Sequence, residues 1–280
     1  MHALLVLNSR SRRGIRDGDA VCRALEDAGV QCERNADAGP FDAVIAAGGD
    51  GTIVRTVPLA LERDLPMGIV PLGTFNDLAR SLDIPLDVHE ACEVIANGSE
   101  RRIDVGRVNG VHFVNEASIG ISTRIARRQT PDVKQRFGFL GVAMTTLQSL
   151  RETRPFFAHV RYGGRSERLR TLQITIANNA RFGGVIERPD ASLDDGWLDL
   201  YSVEVRSWTQ AVPLAGKILR RDASPGQGLR TRRAPVFQVQ THRPHHVTAD
   251  GEPAGMTPAT FEVLPRALRV LVPNPKGVSS

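Results

Sequence analysis

The sequence predicts an α/β N-terminal domain followed by a mostly antiparallel β-sandwich domain. Over roughly the first 100 residues, short apolar runs alternate with segments whose apolar residues recur at helical spacing. Such alternation is typical of a parallel sheet covered by helices. After about residue 104, apolar and polar residues alternate with a period of two, which is typical of antiparallel strands with one solvated face.

The first part of the chain contains three predicted strands, each with a predicted helix after it. The strands are the apolar runs 4–7, 42–47 and 67–70. The helices carry apolar residues at helical spacing, namely Val21, Leu25 and Ala28, then Ile53, Val57 and Leu61, then Ala91, Val94 and Ile95. Because the strands are uninterrupted apolar runs, both of their faces are expected to be buried.

The second part contains strands in which apolar residues alternate with polar ones. These strands are 172–176, 237–239, 261–263 and 268–270, and two helices are expected at 138–151 and 208–219. The change of character predicts a first domain at 1–118 and a second at 119–270, with the tail 271–280 packing back on the first.

Composition and charge limit the possible partners. The 280 residues are 41% hydrophobic and 24% charged, which excludes a wholly disordered chain. A net charge of +5 suits an anionic partner, such as a nucleotide, a nucleic acid or an anionic membrane surface. Aromatic residues are only 5% and are not interleaved with the arginines, so we expect no nucleic-acid partner.

Cysteines and hydropathy point to a reducing compartment. The three cysteines, Cys22, Cys32 and Cys92, lack metal-site spacing, and we expect buried, reduced thiols. No apolar run approaches the roughly 18–20 residues that span a bilayer, and the apolar N-terminal segment is too short for a signal peptide. The expected location is therefore the cytoplasm.

The first chemical motif is Gly48-Gly49-Asp50-Gly51-Thr52, at the point where a predicted strand gives way to a helix. Phosphates bind at such junctions because free backbone N–H groups and the helix dipole favour anions. The carboxylate of Asp50 would repel a phosphate, so it is expected to act through Mg²⁺ or on an acceptor hydroxyl. A simple glycine-rich βα turn is the alternative without a ligand.

The second motif runs from Pro71 to Arg80, and it also follows a strand and opens a helix. Thr74 is a candidate N-cap, with Asp77 three residues later as in a capping box. A well-capped helix is one interpretation. The other is a ligand site, because both junctions would open at the carboxyl edge of a parallel sheet, where ligands bind.

These two motifs together resemble the catalytic domain of diacylglycerol kinases, which also occurs in sphingosine and ceramide kinases and in bacterial soluble lipid kinases. The most specific part is Gly73-Thr74-Phe75-Asn76-Asp77 after the first motif. Later segments match in the same order: 178–184, 189–200 and Asp250-Gly251-Glu252. The resemblance covers the chain from Asn8 to about Val272.

The resemblance implies an ATP-binding α/β domain, a C-terminal β-sandwich, and ATP between them. Carried over by position, the nucleotide-binding residues are Asn8, Arg12, Arg13, Gly48, Gly49, Asp50, Gly51, Thr52, Gly73, Thr74, Asn76 and Asp77. It also implies a Mg²⁺ site formed by the carboxylate of Asp195 and the backbone carbonyls of Ser192 and Trp197. A turn with one carboxylate and two carbonyls suits a hard cation, and an Asp-Gly hairpin turn is the alternative.

The resemblance further implies an acid–base residue in Asp250-Gly251-Glu252. We prefer Asp250, with Glu252 as the alternative and Asp50 as a rival that could instead hold Mg²⁺. A carboxylate is needed because an alcohol is a weak nucleophile. Here too, an Asp-Gly hairpin turn is the interpretation without chemistry.

The implied function is transfer of the ATP γ-phosphate to a lipid hydroxyl, as in diacylglycerol or a sphingoid base. The alternatives are a small-molecule kinase of the NAD kinase type and a non-catalytic relative that binds lipid or nucleotide. Differences at 115–120, 183–185 and 187–188 leave the lipid open. We expect peripheral contact with an anionic membrane, through Arg230, Arg232 and Arg233 unless these form a solvated face, and a homodimer is possible.

Overall fold

A computed structural model describes residues 1–7, 12–34, 39–120, 154–179, 181–182, 186–187, 192–204 and 228–275. The chain divides into two compact units. Unit 1 comprises Met1–Val105, Ser192–Asp194 and Pro265–Ser280, and unit 2 comprises Gly106–Ala191 and Asp195–Leu264. The helices predicted at 138–151 and 208–219 lie outside the described residues.

Unit 1 contains the α/β part of the fold. Its elements are β1 (His2–Leu7), α1 (Arg12–Asp27), β2 (Gln31–Arg34), β3 (Ala43–Gly48), α2 (Asp50–Glu62), β4 (Met67–Pro71), α3 (Asp77–Ser81), α4 (Val88–Asn97) and most of β5 (Ser99–Val108). The strands β2, β1, β3 and β4 lie side by side in that order and are parallel. The predicted α/β architecture is confirmed.

Burial explains why unit 1 folds as predicted. All six residues of β3 are buried, as expected for a central parallel strand that is covered on both faces. Leu25 of α1, Ile45 of β3 and Ile95 of α4 belong to one apolar cluster. The start of the C-terminal tail joins this unit, since the side-chain amide of Asn274 donates to the carbonyl of Asn97 at 2.8 Å.

Unit 2 is built from antiparallel strands. They are β6 (Val111–Phe113), β7 (Glu116–Gly120), β8 (Phe156–Tyr162), β9 (Arg165–Thr171), β10 (Gln173–Ala177), β11 (Arg181–Phe182), β12 (Ile186–Glu187), β13 (Leu198–Val203), β14 (Leu229–Ala234), β15 (Val236–Thr241), β16 (His246–Ala249), β17 (Glu252–Met256) and β18 (Ala259–Val272), whose last residues belong to unit 1. One sheet has the order β14–β13–β10–β7–β16–β17, and β18, β15, β8 and β9 form a second set. Phe113, Ile119, Ile176, Phe237 and Phe261 belong to its apolar core.

The alternating pattern holds in some strands of unit 2 and fails in β10. In β15, Phe237 and Val239 are buried while Gln238 and Gln240 are exposed, as predicted. All five residues of β10 are buried, so the prediction of one solvated face is wrong there. The physical reason is that β10 is a central strand between β7 and β13, and the side-chain amide of Gln173 donates to the hydroxyl of Thr175 at 3.0 Å.

An ion-pair cluster joins β9 to β14 within unit 2. The Glu167 carboxylate accepts hydrogen bonds from Arg232 Nε at 2.8 Å and from Arg230 Nη1 at 3.0 Å. The hydrogen bond from Arg232 is the main reason that the pKa of Glu167 falls to about 2. Since β9 and β14 belong to different sheets, this carboxylate fastens one sheet to the other.

We expect Glu167→Gln to lower the free energy of unfolding by about 1–3 kcal/mol, because Arg232 loses its carboxylate partner and Arg230 keeps only Glu204. The measurement is urea unfolding at neutral pH. The control is Glu262→Gln, which removes a more exposed pair with Arg107 at 2.9 Å and should change the stability by about 1 kcal/mol at most.

The same ion-pair cluster predicts that the stability of the protein depends on pH. The folded-state pKa of Glu167 is lowered, so its contribution to stability is present above the ordinary value of 4.5 and is lost as the pH falls toward about 2. The stability difference between the wild type and Glu167→Gln should therefore shrink over that range. A difference that is constant or grows on acidification would contradict the assignment.

Candidate active site

Two glycine-rich junctions of unit 1 touch each other. β3 ends at Gly48 and β4 ends at Pro71, and because these strands are parallel neighbours, both junctions lie at the same edge of the sheet. A methyl group on Gly73 would lie 2.5 Å from the Cα of Gly49, so no side chain fits between the two loops. The expectation that the two junctions lie together is confirmed.

The Asp50 carboxylate holds the second junction in place. It lies in the first turn of α2, and its two oxygens accept the backbone N–H groups of Asn76 at 3.0 Å and Asp77 at 2.8 Å. It therefore caps the N-terminus of α3 from another helix. Each carboxylate oxygen keeps a second lone pair, so the contact leaves room for a cation.

The predicted N-cap of α3 is wrong. The helix begins at Asp77, with Asn76 rather than Thr74 in the cap position. Asn76 has a left-handed backbone with φ of 52°, which asparagine tolerates better than most residues. Its side chain accepts from Gly73 N at 2.9 Å and donates to Gly73 O at 3.0 Å, which closes the turn.

Exposure separates the predicted nucleotide-binding residues into two groups. Gly51 and Thr74 are exposed, and Gly49, Asp50 and Gly73 are partly exposed. The buried members, which shape the loops rather than face solvent, are Gly48, Thr52, Asn76 and Asp77. Asn8 lies outside the described residues, and of Arg12 and Arg13 only the backbone is described, in the first turn of α1.

In unit 2, Asp250 lies in the tight turn between β16 and β17. Asp250 and Gly251 have φ values of 46° and 86°, so the Asp-Gly hairpin turn expected from the sequence is present. The carboxylate of Asp250 accepts three backbone N–H groups, from Val114 at 2.7 Å, Asn115 at 3.0 Å and Glu116 at 2.9 Å. Asp250 therefore holds the segment before β7 in a fixed position.

A buried amide network extends this contact. The side chain of Asn179 donates to the Asn115 side-chain oxygen at 2.9 Å, and the side chain of Asn178 donates to the carbonyl of Val114 at 3.1 Å. Asn115 and Asn178 belong to different segments of the chain. The sequence did not predict this network. The only feature of the sequence that could have indicated it is the pair of adjacent asparagines, Asn178-Asn179.

The two carboxylates of the Asp-Gly-Glu motif have different surroundings. Asp250 is held by three N–H donors, whereas Glu252 is exposed at the start of β17. A proton acceptor needs an accessible lone pair. The geometry thus makes Glu252 the better candidate for that role and Asp250 the residue that organises the loop.

The predicted metal turn contains two carboxylates that already have cationic partners. In unit 1, Asp194 lies 3.2 Å from Arg101 and accepts from Ser192, whose hydrogen bond is the main reason that the pKa of Asp194 is lowered. In unit 2, Asp195 pairs with Arg233 and accepts from Trp197 N at 3.0 Å. The oxygen donors suit Mg²⁺, but a metal at Asp195 would have to replace the guanidinium of Arg233.

The described residues contain neither a ready-made metal cluster nor a helix that could span a membrane. No cluster of three or more His, Cys, Asp or Glu side chains there has the arrangement of a metal site. No helix in the same part of the chain has the length and the apolar character needed to cross a membrane.

Comparison with known proteins decides the family. The diacylglycerol kinase catalytic domain matches residues 2–108, and the YegS C-terminal NAD kinase beta sandwich-like domain matches residues 115–272. The chain belongs to the diacylglycerol kinase family. It is 32% identical over 244 residues to a diacylglycerol kinase of Bacillus subtilis (strain 168), covering 85% of this chain and 80% of the relative.

Other relatives agree with this assignment. A diacylglycerol kinase of Staphylococcus aureus (strain JH9) is 28% identical over 237 residues, or 84% of this chain and 75% of the relative. A crystal structure of a diacylglycerol kinase from Bacillus anthracis str. Sterne has a TM-score of 0.76 at 23% identity, covering 97% of this chain and 96% of the other. At that identity the likeness shows a shared fold, which confirms the predicted α/β plus β-sandwich architecture.

We expect Gly73→Ala to destabilise unit 1 by about 2 kcal/mol or more, because the new methyl group would overlap the backbone of Gly49. Gly51→Ala is the matched control in the other glycine-rich motif, since no atom lies within 4 Å of its new methyl group. It should be neutral or slightly stabilising, because alanine is the better helix former. Urea unfolding of both variants tests this, and equal stabilities would contradict the close contact.

Proposed function

We propose that this protein transfers the γ-phosphate of ATP to a hydroxyl group of a lipid, such as diacylglycerol or a sphingoid base. The observation that supports this most is the pairing of the two glycine-rich junctions around Asp50, in a chain that belongs to a kinase family. The relatives named diacylglycerol kinase support a lipid as the acceptor.

The nucleotide phosphates are proposed to bind at the N-terminus of α2. No side chain caps this helix, so N–H groups of its first turn are available to an anion. Exposed Gly51 lets a phosphate approach the backbone. The remaining lone pairs of Asp50 would hold the Mg²⁺ that accompanies ATP, where the cation would offset the repulsion between carboxylate and phosphate.

In the proposed reaction the acceptor hydroxyl oxygen bonds to the γ-phosphorus while the bond to the β-phosphate oxygen breaks. The hydroxyl proton passes to the Glu252 carboxylate, and ADP leaves with the bonding electron pair. Asp250 is proposed to position the site without reacting itself, because its carboxylate accepts three backbone N–H groups of the loop that carries Asn115 and Glu116.

A second Mg²⁺ is proposed at Asp195, with the carbonyls of Ser192 and Trp197. A bound cation there would supply positive charge to the turn. This requires Arg233 to leave Asp195, and the neighbouring Asp199, whose carboxylate lies 3.9 Å from Arg233 Nε, could receive the guanidinium.

A kinase of the NAD kinase type is the second candidate. The family model for the C-terminal part is described as NAD kinase beta sandwich-like. Asn115-Glu116, which differs from the usual lipid kinase sequence, lies against Asp250. NAD is therefore tested as an acceptor beside the lipids.

Membrane contact is proposed for a different face from the one expected. Arg230 and Arg232 are paired with Glu167, and Arg233 with Asp195, so these arginines are less available to lipid headgroups. The outer face of β8 and β9 is the better candidate. It presents Phe157, His159, Arg161, Arg168 and Arg170, all exposed.

The charge of that face is not balanced locally. Among the residues that the structure describes, no carboxylate lies within ion-pair distance of Arg161, Arg168 or Arg170. Arg168 lies 4.4 Å from the centre of the Phe157 ring, which leaves an aromatic side chain among cations. A surface of this composition suits anionic headgroups over an apolar layer.

The test of function is transfer of labelled γ-phosphate from ATP and Mg²⁺ to a panel of lipid alcohols in neutral mixed micelles, with NAD as a separate acceptor. We expect a labelled lipid, and a loss of about 10²–10⁴-fold in rate for Glu252→Gln with its unfolding free energy unchanged. Asp250→Asn should lose both rate and stability. Glu262→Gln, another carboxylate of unit 2, is the matched control and should keep both.

Labelled NADP without labelled lipid would overturn the lipid acceptor in favour of the NAD kinase type. Full activity of Glu252→Gln would overturn the assignment of the proton acceptor. If no acceptor is labelled although ATP binds, a non-catalytic relative is the better description.

The same assay in phosphatidylglycerol vesicles tests the membrane face. Replacing Arg161, Arg168 and Arg170 together by Gln should weaken vesicle binding by about 100-fold, at about 1 kcal/mol for each cation. Transfer in neutral micelles should be unaffected. The charge-matched control replaces exposed Arg23, Arg55 and Arg102 of unit 1, and equal losses in both variants would contradict a specific face.

A further inference from the structure

Two cysteines of unit 1 are 10 residues apart in the sequence and lie side by side in the structure. Cys22 is on α1 and Cys32 is on β2, and their sulfur atoms are 3.4 Å apart. Both side chains are half-buried, so small reagents can reach them, while the third cysteine, Cys92, is buried. The sequence predicted buried thiols, which is correct for Cys92 and wrong for Cys22 and Cys32, and it did not predict that these two lie together.

A guanidinium group makes the two sulfurs unequal. Arg34 Nε lies 3.3 Å from Cys22 Sγ, and Arg34 is held there by Asp19 at 2.6 Å. Cys22 Sγ therefore accepts hydrogen bonds both from this guanidinium and from the S–H group of Cys32. Burial is the main cause that raises the pKa of Cys32 to about 12, so Cys32 keeps its proton.

We propose that Cys22 and Cys32 form a site of reversible oxidation, where a peroxide converts the two thiols to a disulfide. The Cys22 thiol gives up its proton to water as its sulfur attacks one peroxide oxygen, and the O–O bond breaks. Cys22 becomes a sulfenic acid, and the departing hydroxide takes up a proton and leaves as water. Cys32 then attacks the sulfenic sulfur, the S–O bond breaks, and a second water carries away the oxygen and the thiol proton. The sulfurs lose two electrons and the peroxide gains them.

The geometry requires only a small movement. A disulfide bond is about 2.0 Å long, so the sulfurs would approach by roughly 1.4 Å, which side-chain rotation and a slight helix shift can supply. The bond would fasten α1 to β2, which lies at the edge of its sheet. It would also close a loop in the unfolded chain, so oxidation is expected to raise the melting temperature.

The experiment treats the reduced protein with equimolar hydrogen peroxide, blocks free thiols with an alkylating agent, and analyses a non-reducing digest by mass spectrometry. We expect a linked peptide pair containing Cys22 and Cys32, a mass loss of about 2 Da, and reversal by dithiothreitol. Cys92→Ser should behave as the wild type. Cys22→Ser should give no linked pair and should leave Cys32 alkylated.

Three outcomes would overturn the proposal: both thiols remaining alkylatable, oxidation of Cys22 to sulfinic acid without a linked peptide, or a link only between two chains. The mass spectrum of the wild-type protein decides between them even if Cys22→Ser folds poorly. The melting temperature of the wild type, measured before and after oxidation, should rise by several degrees and fall back on reduction. None of these readings depends on kinase activity.

Discussion

The charged hydrogen bonds that two aspartates accept from distant backbone N–H groups fix the loops of both candidate sites. Asp50 accepts the amides of residues 26 and 27 positions later, and Asp250 accepts three amides more than 130 positions earlier in the chain. Bonds of this kind are stronger than those between neutral groups, and a loop loses several of them at once if the carboxylate is removed. In unit 1 the same contact joins the two loops in which Gly49 and Gly73 approach each other closely.

This arrangement changes how the motif carboxylates are interpreted chemically. An aspartate in a glycine-rich motif is easily taken for the reacting group, yet the Asp250 oxygens are engaged by backbone N–H groups. The neighbouring Glu252 is exposed at the start of β17, which supports the proposal that it accepts the proton. Asp50 differs, because two amides leave it enough lone pairs for a cation. Aspartate thus organises a loop in unit 2, and in unit 1 it holds a loop and is proposed to bind a metal ion.

The sequence was sufficient for the features that depend on local pattern. Apolar runs and helical spacing predicted β1, β3, β4 and their helices, and strand order placed both glycine-rich junctions at one edge. The sequence did not predict contacts between residues whose partner belongs to another element. Asp50, and not the nearby Thr74, accepts the N-terminal amides of α3. Glu167 pairs with Arg230 and Arg232 on a strand of the other sheet. Cys22 lies beside Cys32 because α1 packs on β2. No local spacing encodes such contacts.

Amide hydrogen exchange at residues 114–116 tests the central role of the aspartate contacts most directly. If Asp250 holds this segment, its amides should be protected in the wild type, and Asp250→Ala should speed their exchange by about tenfold or more. Glu252→Ala should leave them unchanged. Equal protection in the wild type and in Asp250→Ala would contradict the account, because the loop would then keep its position without the carboxylate.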